Sequence, residues 1–204
     1  MIIDLHVHSK YSHDSIEEPK KIIQECIKKG IDGVCFTEHH SYNASKPVEL
    51  IDNKEIKIFR GAEVTTNLGH ILIFGIKDDK GNNWNGIKGE FINTQKLINY
   101  VNEKGGVCIL AHPFRKYHAY KNLIKLKGLV AIETNNRKNT MEQTEKSEKL
   151  LNEMKLNSVG GSDSHIAQTI GKGYTVFEKK ISTIENLVKE LKQGNYYGMS
   201  EKYY

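Results

Sequence analysis

Short apolar runs alternate with longer stretches whose apolar residues recur every three or four positions. The run Ile2 to Val7 is too short for a helix and predicts a strand. Ile22, Ile23, Cys26 and Ile27 share one helical face, opened by Glu17-Glu18-Pro19 and stopped by Gly30. Gly33 to Phe36, Ile56 to Phe59 (leading into Gly61-Ala62-Glu63) and Ile71 to Phe74 predict three further strands. Residues 78–89, rich in Gly, Asn and Asp, predict a loop. Leu97, Ile98 and Val101 predict a helix over 94–104, ending at Gly105-Gly106. Strand-like runs recur at 107–111, 129–132, 157–159 and 175–177, with helical stretches at 120–125, 140–155 and 183–192 and a short tail. Strands alternating with helices of this length predict βα units around a mainly parallel sheet. Periodicity alone does not separate an open sheet from a closed barrel. The chain is short for an eight-fold barrel, which takes about 250 residues.

Composition narrows the class. A length of 204 residues suits a single domain over 1–204, and 38% apolar against 27% charged residues excludes general disorder. The net charge of +5 comes from mixed rather than bunched charges. It suits an anionic substrate and an ordinary solvated surface about equally. The three cysteines form no CxxC pair, which argues against a thiolate zinc site; Cys35 and Cys108 sit in apolar runs and read as buried thiols. No apolar stretch approaches membrane-spanning length, and no leader pattern precedes the first strand, so the expected location is cytoplasmic.

Candidate chemistry lies in the placement of the histidines. His6, His8, His39, His70, His112 and His165 stand at or just past predicted strand ends, His70 between two strands. Asp14, Glu38, Glu63 and Asp163 lie near them. The downstream ends of parallel strands are where α/β proteins build their sites. In an extended His-x-His both imidazoles face the same side, and imidazole with carboxylate suits a transition metal. One histidine at a strand end is more often a satisfied polar residue than a ligand; six placed alike point to one shared site.

These residues also carry a resemblance. Asp4-Leu5-His6-Val7-His8-Ser9 with Asp14, then Thr37-Glu38-His39, Gly61-Ala62-Glu63 with His70, Ala111-His112-Pro113, and Gly161-Ser162-Asp163-Ser164-His165 resemble, in order, the motifs of the PHP (polymerase and histidinol phosphatase) superfamily. Glu38 stands where Asp is commoner, Ser15 where Gly often follows the acidic residue, and His13 is an extra histidine before Asp14. The resemblance implies an α/β fold, a distorted (β/α)7 TIM-like barrel, and two or three divalent transition metal ions (Zn, Mn or Fe). It implies one ion on His6, His8, Glu63 and Asp163, a second on Glu63, His70 and His112, and a third on Asp14, His39 and His165. Asp163 and His165 would then belong to both the metal and the catalytic set, and Arg115, in a His-Pro-x-Arg position, would clamp phosphate. Arg137 is a second clamp candidate, His40 reads as a helix-capping or core residue with a proton donor as the alternative, and His13 and His118 read as surface residues.

The expected activity is hydrolysis of phosphate esters by metal-bound hydroxide. The expected substrates are small phosphorylated molecules, nucleotides or nucleic-acid ends, with no membrane partner and the oligomeric state left open. Two other readings stand beside it. A metal-dependent amidohydrolase would use a similar barrel, often with a carbamylated lysine at a strand end, for which the chain offers no obvious Lys. A non-catalytic PHP-like subunit of a nucleic-acid-processing assembly would be expected to lose ligands, and to show basic residues interleaved with aromatics; Tyr196-Tyr197 and Tyr203-Tyr204 supply aromatics but few basic neighbours.

Overall fold

The structure, a computed structural model, describes residues 1–76, 92–115 and 120–201; the predicted loop over 78–89, His118 and Tyr203-Tyr204 lie outside them. Among the described residues nine strands, β1 (Ile2–Val7), β2 (Gly33–His39), β3 (Lys57–Thr66), β4 (Gly69–Phe74), β5 (Val107–Ala111), β6 (Ala131–Asn136), β7 (Asn157–Gly161), β8 (Gly173–Phe177) and β9 (Tyr196–Ser200), form one sheet in the order β7-β6-β5-β4-β3-β2-β1-β8-β9. A bridge between Val7 and Ser164, with the Ser164 carbonyl accepting from the His8 amide at 2.9 Å, joins β1 to the chain leaving β7 and all but closes the sheet into a barrel. The expected α/β barrel is the observed fold.

Alternation along the strands sorts residues between two layers. On β4, Leu72 and Phe74 face the barrel interior with Ile3, Leu5, Phe59 and Ile109, while Ile71 and Ile73 face Leu97, Ile98 and Val101 of helix α2 (Thr94–Glu103). Helix α1 (Pro19–Lys28) packs Ile22, Ile23 and Cys26 against Val34 and Phe36, and α3 (Tyr120–Leu123) and α4 (Met141–Met154) cover β5 to β7. Helix α5 (Ile184–Gln193) brings Leu187 and Leu191 against the interior cluster near Phe74 and Val107. Each of these positions is almost fully buried, so the core forms from the 3.6- and 2-residue periods read in the sequence.

Three departures from the predicted pattern matter for the site. β3 and β4 form an antiparallel hairpin with Asn67 and Leu68 between the paired Thr66 and Gly69, and β4 is antiparallel to β5 as well. The strand predicted over 129–132 runs from Ala131 to Asn136, because its polar second half is buried and hydrogen-bonded rather than looped out. Finally, the short tail begins as a strand: Tyr196 and Tyr197 open β9, antiparallel to β8 at the sheet's end. There Gly198 lies so close to β7 that a Cβ would fall 2.3 Å from the Val159 carbonyl carbon.

Candidate metal centre

One end of the barrel collects every predicted ligand, each by a local device. Against Asp4 to Val7 of β1, β2 supplies only Val34 to Phe36, so β1 carries one extra residue. That bulge reverses which residues face inward: Ile3 and Leu5 pack in the interior, but beyond it Val7 packs against α1, while His6 and His8 turn inward. On β2, Cys35 faces the interior and so does His39; on β3, Phe59 and Glu63 do so together. His70 opens an antiparallel strand, so its start lies level with the downstream ends of β3 and β5, opposite Thr65 and Ala111. His112 and Asp163 just past β5 and β7 have φ of 25° and 48°. Both values lie in the left-handed region that side-chain-bearing residues seldom occupy, and such strain concentrates at functional sites.

The donors converge on Glu63, which is buried. Its Oε1 lies 2.7 Å from His70 Nδ1 and 2.9 Å from His112 Nε2. Its Oε2 lies 3.2 Å from both His8 Nε2 and His39 Nδ1, and 3.4 Å from His6 Nε2. The two oxygens thus face different imidazoles, as a bridging carboxylate requires. Asp163 Oδ1 is 3.6 Å from His8 Nε2 and 3.8 Å from His6 Nε2, and Asp14 Oδ2 is 2.9 Å from His165 Nε2 and 3.1 Å from His39 Nε2. Three sets can each hold an ion: His6, His8 and Asp163; His6, Glu63 and His112; and His8, Asp14, His39 and His165.

Burial pushes the Glu63 and Asp163 carboxyls up, but the surrounding imidazoles outweigh it and hold both well below the ordinary range. Burial pushes the His8 imidazole down to about 4 and lowers His39 and His112, whereas at His6 burial is outweighed by the Glu133, Glu63 and Asp163 carboxylates, which raise that imidazole well above its ordinary range. Ionised carboxylates and neutral imidazoles are the ligand forms that divalent cations take, so an ion held by His6 would displace its Nε2 proton. Glu63, Asp14, His39, His70, His112, Asp163 and His165, with Gly69, Arg115 and Lys138, line a cavity of about 190 Å³.

A family model described as PHP domain matches residues 4–197. This chain belongs to the PHP domain family. An uncharacterized protein of Methanocaldococcus jannaschii is 28% identical to this PHP domain over 127 residues, 56% of the chain and 68% of the relative. Among solved structures, a two-domain protein from Bacteroides vulgatus containing a predicted PHP-like metal-dependent phosphoesterase superposes with a TM-score of 0.71 at 17% identity, over 98% of this chain and 65% of that one. A lesion-specific endonuclease from Pyrococcus furiosus superposes with a TM-score of 0.72 at 18% identity, over 98% of this chain and 58% of that one. At these identities the two structures share the fold. No helix among the described residues is long and apolar enough to cross a membrane.

All nine residues named from the PHP motifs as metal ligands meet in this one cluster. Glu38 does not: it faces away from His39 and takes hydrogen bonds of 2.5 Å from Ser9 Oγ and Ser12 Oγ. Ser12 also lies 3.1 Å from His8 Nδ1, so Glu38 touches the site only through that hydroxyl. Arg115 reaches the cavity, pairing with Asp163 through Nη1 and with Asn136 Oδ1 through Nη2 at 2.5 Å. Arg137 turns instead toward the Ser162 carbonyl, and the next residue, Lys138, lines the cavity with Nζ 3.2 Å from Asp163 Oδ1. His40 and His13 are exposed and outside the cavity lining. Sequence reasoning missed Lys138 and also Glu133, a wholly buried carboxylate 3.0 Å from His6 Nδ1. A lone acidic residue after Ala131-Ile132 was its only signal.

Proposed function

We propose that the chain is a metal-dependent phosphoesterase acting on exposed phosphate esters of small molecules, nucleotides or oligonucleotide ends. One observation carries this reading: a cluster of imidazole and carboxylate donors shares its cavity with two cations, Arg115 and Lys138. The donors fit two or three divalent ions such as Zn, Mn or Fe, since six imidazoles and three carboxylates offer mixed N and O ligation. His6, His8, Glu63 and Asp163 would hold one ion, Glu63, His70 and His112 a second, and Asp14, His39 and His165 a third. When bound, such ions supply Lewis acidity, which makes water nucleophilic near neutral pH and draws charge from phosphoryl oxygens.

The chain's own residues provide orientation. Arg115 is steered by Asn136, and its Nε is buried without an acceptor among the described residues. An unsatisfied buried donor costs about 1–3 kcal/mol, and a phosphoryl oxygen would satisfy it. Lys138 adds a point charge on the other side of Asp163. Sites for drug-sized ligands measure about 300–1,000 Å³. A cavity of about 190 Å³ therefore suits the phosphoryl group, with the rest of the substrate outside.

The test is side-by-side assay of p-nitrophenyl phosphate, a 5′-phosphorylated oligonucleotide and cyclic amides, with Mn, Zn or Fe in excess. The expected result is phosphate release that His8→Ala and Asp163→Ala abolish. Turnover of the amides alone would favour C–N hydrolysis, and wild-type rates in both variants would end the catalytic assignment.

A further inference from the structure

Glu133 is fully buried at the centre of β6, yet none of the three donor sets includes it. We propose that Glu133 is a positioning residue whose two oxygens aim His6 and His112 at the metal cluster. Its Oε1 lies 3.0 Å from His6 Nδ1. A proton held on Nδ1 by that contact leaves the Nε2 lone pair free to face Glu63 and His8. Its Oε2 accepts from the His112 backbone amide at 3.1 Å and from Asn136 Nδ2 at 3.0 Å. The His112 amide belongs to the residue whose φ is 25°, so the same carboxylate holds the strained backbone that turns His112 Nε2 toward Glu63. Space for Glu133 depends on Gly161: a Cβ there would lie 2.5 Å from Glu133 Oε1 and 2.5 Å from His6 Cβ. One side chain on β6 thus sets ligands from β1 and β5.

Glu133→Gln keeps the volume but supplies one acceptor oxygen where two are used, so at least one donor meets an amide N–H. Competition titration with a chromogenic chelator should show the ions at His6 and His112 bound about 10–100-fold more weakly, with the Asp14–His39–His165 ion unchanged. In Zn-loaded wild-type protein, histidine 15N spectra should place the His6 proton on Nδ1, a measurement that needs no variant to fold. Wild-type ion affinity in Glu133→Gln, or a His6 protonated on Nε2, overturns the assignment. The proposal rests on the cluster binding ions; wild-type protein that takes up no Zn would overturn that reading itself, a result distinct from either of the others.

Discussion

Stepwise metal removal offers the most direct test of the centre. The donors differ in their access to water: the side chains of His6 and His8 are fully buried and that of Glu63 is 2% exposed, whereas that of Asp14 is 37% exposed. The set of Asp14, His39 and His165 therefore keeps the most solvent around its ion and should release it first. An ion bound only by the folded chain adds about 2.7 kcal/mol at one hundred times its Kd. For a chain of this size each kcal/mol moves Tm by about 2–4 °C, so each independent ion adds about 5–11 °C. Differential scanning calorimetry across a chelator titration should show the Tm falling in at least two steps. His165→Ala should abolish the earlier step and leave the later one in place. A Tm indifferent to metal, or a His165→Ala variant that still shows both steps, would refute the assignment of donors to separate ions.

The remaining predictions concern single residues. Arg115→Lys replaces a fork with a point charge and should lower kcat/KM for an aryl phosphate about tenfold or more, mainly through KM, in steady-state assays. Lys155 caps α4 at φ 53° and is exposed, so Lys155→Gly relieves left-handed strain; chemical denaturation should show about 0.5–1 kcal/mol gained with metal affinity unchanged. Leu72 is wholly buried in the barrel interior, and Leu72→Ala should cost about 2–5 kcal/mol by the same measurement. Gly198→Ala would press a methyl into the β7 backbone, and a loss of about 1–3 kcal/mol should appear as a lowered Tm.

Much of this was legible because residues with a local period report their own environment. Leu97, Ile98 and Val101 mark α2 by helical spacing, and the five residues of β5 are continuously apolar because both faces of that strand are covered. The candidate imidazole ligands were legible as histidines beside strand ends, since those ends face the shared cavity. The direction of β4 was not, because Asn67-Leu68 lacks the Asn-Gly pair that advertises a two-residue hairpin turn. The β1 bulge was equally hidden, since an extra residue shows only against the partner strand. Glu133 was missed for a related reason: its partner His6 is 127 positions away, and no spacing rule joins them. Arg137 and Lys138 are adjacent, and only the path of the backbone decides which one reaches Asp163.

The reversed fourth strand also fixes where this barrel tolerates added sequence. Past Phe74 the chain leaves level with Val107 at the start of β5, but by Ile92 it is back at the Asn67-Leu68 connection, where the Ile92 carbonyl accepts from the Asn67 amide at 3.0 Å. That connection tolerates little added sequence, because Gly69 borders the cavity and His70 follows at once. A single residue inserted there, if absorbed by sliding β4 along its neighbours, would swing the His70 ring out toward the helical layer and remove one arm of the cluster without altering any ligand's identity.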